Sequence, residues 1–359
     1  MLIIATASHL SSNLNILKKM ILSGSDVLRF NFSYGTAEEK MESIRLTQNV
    51  ISELNSSTKI LIDLPNPKIR LGDFPQKTFT VQEGDKIILK TASYSDDPIV
   101  FLPVQLPNAG NELFPEQTIV IDEGEVAIKI ISVLSSDSLE CLVLNSGTIL
   151  RYKGINVQDN PYNMEEHIRQ LEEKILPKLI SLDPNYIACP FVDSAIIAEK
   201  YKTAIEKLSW NVKPKIILKI ESEEGVKNAP EIINYGDMIL MERGNLGIHA
   251  PFEKIGLYQK YLIALCKKNN KPLIIATQIL ESTIHNYIPQ RCELSDLTNM
   301  VLDGVDGIML CHETGISMRP AYPISIARKI IAEVENYRNK NRAKYEHQRD
   351  SGPTDALNN

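Results

Sequence analysis

The 359-residue sequence has no run of about 18 apolar residues, the length that a membrane-spanning helix needs. It has no surplus of positive charge either. Lys and Arg number 39 against 45 Asp and Glu, a net charge of -6, so nothing basic enough to drive nucleic-acid binding is present. Cysteine is sparse. Cys141, Cys189, Cys266, Cys292 and Cys311 are odd in number and far apart, with no C-x-x-C pair. That argues against a disulfide framework or a thiolate zinc site and for a reduced, cytoplasmic protein. No basic segment precedes the short apolar start Met1-Leu2-Ile3-Ile4-Ala5-Thr6, so no signal peptide is read there. No Ser-His-Asp order, no H-E-x-x-H motif and no repeat beyond a strand–helix unit occurs.

What is present is a globular composition, 43% hydrophobic and 23% charged, which excludes a largely disordered chain. At ~150 residues per domain, the length predicts two domains or one large barrel with an insertion. Eight short apolar runs read as strands: Leu2–Thr6, Val27–Asn31, Lys59–Leu64, Tyr186–Pro190, Lys215–Ile220, Gly236–Met241, Pro272–Ala276 and Gly307–Leu310. Helical patterns separate most of them. Such alternation demands a parallel sheet, and eight units are the number that closes a (β/α)8 TIM barrel. An open doubly wound sheet has the same pattern. Between Lys68 and about Val157 the pattern is all-β, with three predicted hairpins turning at Gln82–Asp85, Asp122–Glu125 and Asn145–Gly147. The predicted organisation is α/β, with a barrel in two parts (1–67 and 158–338), an inserted small all-β, barrel-like lid domain (68–157) and a polar, disordered tail (339–359).

In a barrel the C-terminal strand ends supply the site. Arg29, Asn31 and Ser33 fall on one face of the second strand and its extension, opposite Leu28, Phe30 and Phe32. Arg29 is a forked cation suited to phosphate, or to a structural carboxylate. Asp63 ends the third strand, where a turn cap is the alternative role. Lys219 and Glu221 are two apart on one strand and point the same way. Buried, they are costly unless paired with each other or given a phosphoryl group and a metal ion. Gly244 and Gly247 let backbone approach a ligand. Thr277 places a hydroxyl at a strand end, and Glu313 places a further candidate catalytic carboxylate after the last strand.

Together these segments resemble pyruvate kinase. Asn31–Gly35 resembles NFSHG, Asp63–Arg70 resembles DTKGPEIR, Lys153–Val157 resembles KGVNLPG, Lys219–Gly225 resembles the KIEN-EG signature, Arg243–Gly247 resembles RGDLG and Ala276–Ser282 matches ATQMLES. Val301–Thr314 follows the VLDGADCIMLSGET pattern, and the matches run in order to about residue 337. The resemblance selects the barrel over the open sheet. It implies phosphoryl transfer from phosphoenolpyruvate to ADP, giving pyruvate and ATP. Arg29 and Lys219 would neutralise the transferring phosphoryl group. Glu221 and Asn245 would hold Mg2+ or Mn2+, and Asn31, Ser33 and Asp63 a monovalent cation such as K+. Gly244, Asn245 and Thr277 would seat the substrate. Asn31, Arg70 and Lys153 would face the nucleotide.

The departures from the family pattern are concentrated. Asn245 stands where the family has a metal-binding Asp, and Glu242, replacing a small residue, is expected to restore the lost charge locally. The segment Thr6-Ala7-Ser8-His9-Leu10-Ser11 replaces TIGPAS, Tyr34 replaces a His, Leu64-Pro65-Asn66 replaces TKG, and Lys68 reverses a Glu. Asp193 and Cys311-His312 also differ. The phosphoenolpyruvate half is therefore better preserved than the nucleotide half. That keeps two alternatives open: a barrel enzyme with another acceptor or lyase chemistry on a pyruvate enolate, and a non-catalytic ligand-binding regulator. The family's usual C-terminal effector domain is expected to be lacking, leaving a monomer or a homodimer through barrel surfaces.

Overall fold

The structure is a computed structural model that describes residues 1–8, 13–157 and 163–341. The chain divides into two compact units. One comprises Met1–Asn66 with the chain from Met164 onward; the other is Pro67–Asn163.

The strands of the first unit before the insertion are β1 (Leu2–Ala7), β2 (Val27–Asn31) and β3 (Lys59–Asp63). The insertion carries β4 (Ile69–Arg70), β5 (Thr78–Val81), β6 (Lys86–Thr91), β7 (Leu102–Val104), β8 (Thr118–Ile121), β9 (Val126–Ser135), β10 (Ser138–Val143), β11 (Gly147–Leu150) and β12 (Gly154–Val157). The first unit resumes with β13 (Tyr186–Cys189), β14 (Lys215–Ile220), β15 (Met238–Glu242), β16 (Leu273–Ala276) and β17 (Gly307–Leu310).

Among the described residues, the eight strands of the first unit pair in parallel in the closed order β1-β17-β16-β15-β14-β13-β3-β2. This is the expected closed barrel, not the open doubly wound sheet that the alternating pattern alone also allowed. Helices form where apolar residues recur at helical spacing. Ala37–Glu53 starts at a capping box in which Thr36 and Glu39 satisfy each other's backbone N–H, and it buries Ile44 and Val50. Arg291–Asp303 stops at Gly304, whose φ of 76° suits the absent side chain. Ala321–Lys340 packs on both Leu14–Leu22 and Arg291–Asp303, joining the last helices of the barrel to the first.

Two sequence expectations change. The predicted tail begins too early: the last helix runs through Asn339 and Lys340, with Arg338 Nη1 donating to the Val301 carbonyl at 3.0 Å. The rest of the predicted tail, 342–359, lies outside the described residues, as do His9, Leu10 and Ser11.

The insertion is built differently from three consecutive hairpins. β8 and β9 do pair antiparallel, with Ile121 opposite Val126. The other two hairpins do not form. β5 pairs with β11, and β6 lies between β7 and β10. A hairpin absent from the sequence reading joins β9 to β10. Turn residues specify a reversal of the chain, not the strand's partner. Partners follow burial: Ile87 and Leu89 of β6 lie opposite Cys141 and Leu139 of β10, and all four are buried. Among the described residues the sheet has the order β4-β12-β8-β9-β10-β6-β7, and a bridge from Leu71 to Val104 ties its two edges together.

Gly110 sits where no side chain fits. A Cβ there would lie 1.9 Å from the Ser135 carbonyl oxygen, and the Gly110 N–H donates to Ser136 O at 2.8 Å. Gly110→Ala should therefore push this segment off the β9–β10 turn. A loss of about 1–3 kcal/mol is expected by denaturant unfolding; an unchanged midpoint would show that the turn yields freely.

Candidate active site

Strand parity sorts the barrel interior into an apolar floor and a charged top. The floor includes Ile4, Val27, Leu61, Ile217 and Leu240, which belong to one buried cluster. Two residues further along the same strands, and so on the same face, stand Thr6, Arg29, Asp63, Lys219 and Glu242. Among the described residues the buried charged side chains are Arg29, Asp63, Lys219, Glu221, Glu242 and Glu313. All six lie on barrel strands or in the segments just after them.

Four of these charges are paired with one another, Arg29 and Lys219 with Asp63 and Glu221. Arg29 donates from Nε to Asp63 Oδ2 at 2.8 Å and holds the same oxygen through Nη2 at 2.6 Å. Its Nη1 donates to Thr6 Oγ1 at 2.9 Å. Lys219 Nζ lies 3.0 Å from Glu221 Oε1 and 3.5 Å from Asp63 Oδ1. Burial alone would lower the affinity of Lys219 for its proton, but Asp63, Glu221 and Glu242 together raise it above the ordinary lysine value. Arg29 is held charged in the same way, chiefly by Asp63. Burial pushes the Glu221 carboxyl up, against the pull of Lys219.

Asn245 bridges two carboxylates. Its Nδ2 donates to Glu221 Oε2 in a short hydrogen bond, and its backbone N–H donates to Glu242 Oε2 at 2.9 Å. Its Oδ1 is buried with no hydrogen-bond partner among the described residues. Gly244 precedes it in the first turn of the helix Arg243–His249. Among the described residues no cluster of three or more His, Cys, Asp or Glu side chains could hold a metal ion. One carboxylate, one amide oxygen and ligands brought by a substrate form a different kind of site, the kind Mg2+ accepts.

Thr277 and Gln278, just after β16, carry φ values of 76° and 53°. For a β-branched threonine that conformation is strained and must be held by its surroundings. Three groups hold it. Arg243 donates to Thr277 O from Nε and Nη2 and to Gln278 O from Nη2, while Nη1 pairs with Asp296 at 2.6 Å. Glu242 Oε1 accepts a short hydrogen bond from Thr277 Oγ1. Glu313 Oε1 accepts from Ile279 N at 3.0 Å and Leu280 N at 3.1 Å, and its Oε2 accepts from Cys311 N at 2.7 Å. Glu313, read from sequence as catalytic, thus spends its oxygens on backbone N–H groups.

Asn31 and Asp63 are directly opposite each other on β2 and β3. Asn31 Oδ1 accepts from Ser33 N at 2.9 Å, and Ser33 Oγ accepts from Asn66 N at 3.1 Å. In the smaller unit Arg70 pairs in register with Gly154, next to Lys153. Lys153 Nζ is bound to Asp122 Oδ1 at 2.8 Å.

The family description "Pyruvate kinase, barrel domain" matches residues 1–325. A pyruvate kinase of Thermococcus litoralis is 34% identical over 336 residues, spanning 94% of this chain and 70% of that protein. The chain belongs to the pyruvate kinase family. A pyruvate kinase of Thermotoga maritima is 30% identical over 93% of this chain and 70% of its own length. A crystal structure of a Cryptosporidium parvum pyruvate kinase superimposes with a TM-score of 0.76 at 26% identity, covering 93% of this chain and 69% of that one.

Within this pyruvate kinase barrel, sequence reasoning gave Arg243 and Asp296 no role. The only signal was that Arg243 lies inside a matched motif. Arg243→Lys removes the fork that ties two carbonyls and Asp296 together. It is expected to cost about 1–3 kcal/mol of stability in denaturant unfolding. Unchanged stability would mean that the Thr277 segment keeps its conformation without that anchor.

Proposed function

We propose that this chain transfers the phosphoryl group of phosphoenolpyruvate to a nucleoside diphosphate, releasing pyruvate. The observation that carries this reading is the buried pair of cations, Arg29 and Lys219, locked among carboxylates at the C-terminal end of the barrel. Phosphoryl transfer asks mainly for positioning and charge neutralisation, and those are what this cluster can give.

In this reading Arg29 and Lys219 take up the negative charge of the phosphoryl oxygens, with Lys219 nearer the transferring phosphorus. Gly244 and Thr277 seat the substrate carboxylate. The family resemblance assigns nucleotide phosphates to Asn31 of the barrel unit and, in the smaller unit, to Arg70 and Lys153. Glu313 contributes by holding the Thr277 and Cys311 segments in place. Glu221 and Asn245 fit a divalent cation, Mg2+ or Mn2+: a buried carboxylate raised by burial and a buried amide oxygen with no hydrogen-bond partner among the described residues would both gain from one. Such a cation supplies charge stabilisation for the enolate and phosphate oxygens. Asn31, Ser33 and Asp63 would hold a monovalent cation such as K+; Asp63 Oδ1 is buried and accepts no hydrogen bond among the described residues. We place the enzyme in the cytoplasm, as a monomer or a homodimer through barrel surfaces. The sparse, widely spaced cysteines of the sequence are the basis for that compartment. Among the described residues no helix is long and apolar enough to cross a membrane.

The departures at Tyr34, Leu64–Asn66 and Asp193 favour one second reading, the same enolate chemistry with a different acceptor. Incubation with phosphoenolpyruvate, Mg2+ or Mn2+ and each nucleoside diphosphate separates the two. Pyruvate and triphosphate formed together support the first. Pyruvate proton exchange without triphosphate supports the second. Lys219→Met should abolish phosphoryl transfer, a fall of at least about a thousandfold given the electrostatic role assigned to it. An unaffected rate would remove Lys219 from the reaction.

A further inference from the structure

We propose that Glu242 supplies the second negative charge of the divalent-cation site, acting through Asn245 rather than as a direct ligand. The inference rests on the cation reading of Glu221 and Asn245 given above.

Glu242 occupies the last inward position of β15, in line with Met238 and Leu240 of the apolar floor. A carboxylate there is 8% exposed and would be costly without partners. Its partners are Asn245 N and Thr277 Oγ1, one for each oxygen. The first contact fixes the backbone of Asn245. Glu221 then takes the Nδ2 group, which fixes the amide's orientation, and Oδ1 is left as a buried acceptor with no donor among the described residues. Glu242 therefore helps to aim the neutral ligand.

It also supplies charge. Asn245 contributes none, and Glu221 is already engaged by Lys219 at 3.0 Å. With Arg29 and Lys219 balanced by Asp63 and Glu221 alone, the cluster would be neutral and would attract a dication poorly. Glu242 leaves these five side chains one charge negative, with Glu313 apart from them on its backbone N–H groups. Its field reaches Arg29, Lys219 and Glu221. A purely structural role, as cap of the helix Arg243–His249 and anchor of Thr277, would not depend on that charge.

Titration of the full chain with Mn2+ alone, following free Mn2+ by electron paramagnetic resonance, separates the roles without any turnover. Glu221→Gln should abolish binding. Glu242→Gln keeps an oxygen to cap Asn245 but removes the charge, and should weaken binding about tenfold or more. Adding Asn245→Asp to Glu242→Gln should bring affinity back to within about threefold of the parent, because the charge returns at a neighbouring position. Glu242→Asp, which keeps charge on a shorter stem, should stay closer to the parent than Glu242→Gln; thermal melts confirm that each variant is folded. If Glu221→Gln loses Mn2+ while Glu242→Gln does not, the inference fails and the cation reading stands. Failure of Asn245→Asp to restore binding to Glu242→Gln, or Glu242→Asp as weak as Glu242→Gln, also overturns the charge role. If Glu221→Gln binds Mn2+ like the parent, the cation reading itself fails, and the inference with it.

Discussion

An ammonium group buried inside a barrel is the constraint on which the rest of this structure depends. Lys219 is nearly inaccessible to water, and a lone charge there would be discharged or expelled. It remains because Asp63 and Glu221 face it, and because Asp63 is in turn held by Arg29. Removing one member of such a buried network costs about 3–5 kcal/mol, since the others are left uncompensated. The strand register of β2, β3 and β14 is thereby tied to the charge pattern: a slip of one residue would turn every one of these groups into the helical layer.

The same logic explains how one strained segment at the site is held. The segment after β16 takes backbone angles that Thr277 and Gln278 would not adopt alone. Groups from β15, from the helix after it and from the segment after β17 converge on it. Neighbouring strands thus hold the Thr277 segment between them.

Much of the fold was legible because it follows from local rules. Eight apolar runs alternating with helical patterns gave a parallel α/β sheet, the family resemblance chose the barrel over the open sheet, and parity along β2 and β14 placed Arg29, Lys219 and Glu221 inside. The insertion was less legible. Gly84 does turn the chain, with φ 89°, yet the strands it joins leave for different partners. Local turn chemistry carries no information about which distant edge will bury Ile87 or Ile149. At the site, side-chain identities could be read but the contacts could not. Glu242 and Thr277 are 35 residues apart, as are Arg243 and Gln278, and each pair meets only because β15 and β16 lie side by side. Glu313 could be read from sequence as a candidate catalytic carboxylate, but not the three backbone donors aimed at it.

The pairing of Arg29 and Lys219 also determines how an anion can enter. Neither cation waits with an open valence; each is already bonded to carboxylates of its own chain. An arriving ligand must therefore behave as in ion exchange, displacing an internal counterion that is already in place and already dehydrated. A singly charged anion offers little over what it replaces. A multiply charged phosphate offers more charge and more acceptor oxygens than a carboxylate, so under the proposed function the barrel would select by valence before it selects by shape.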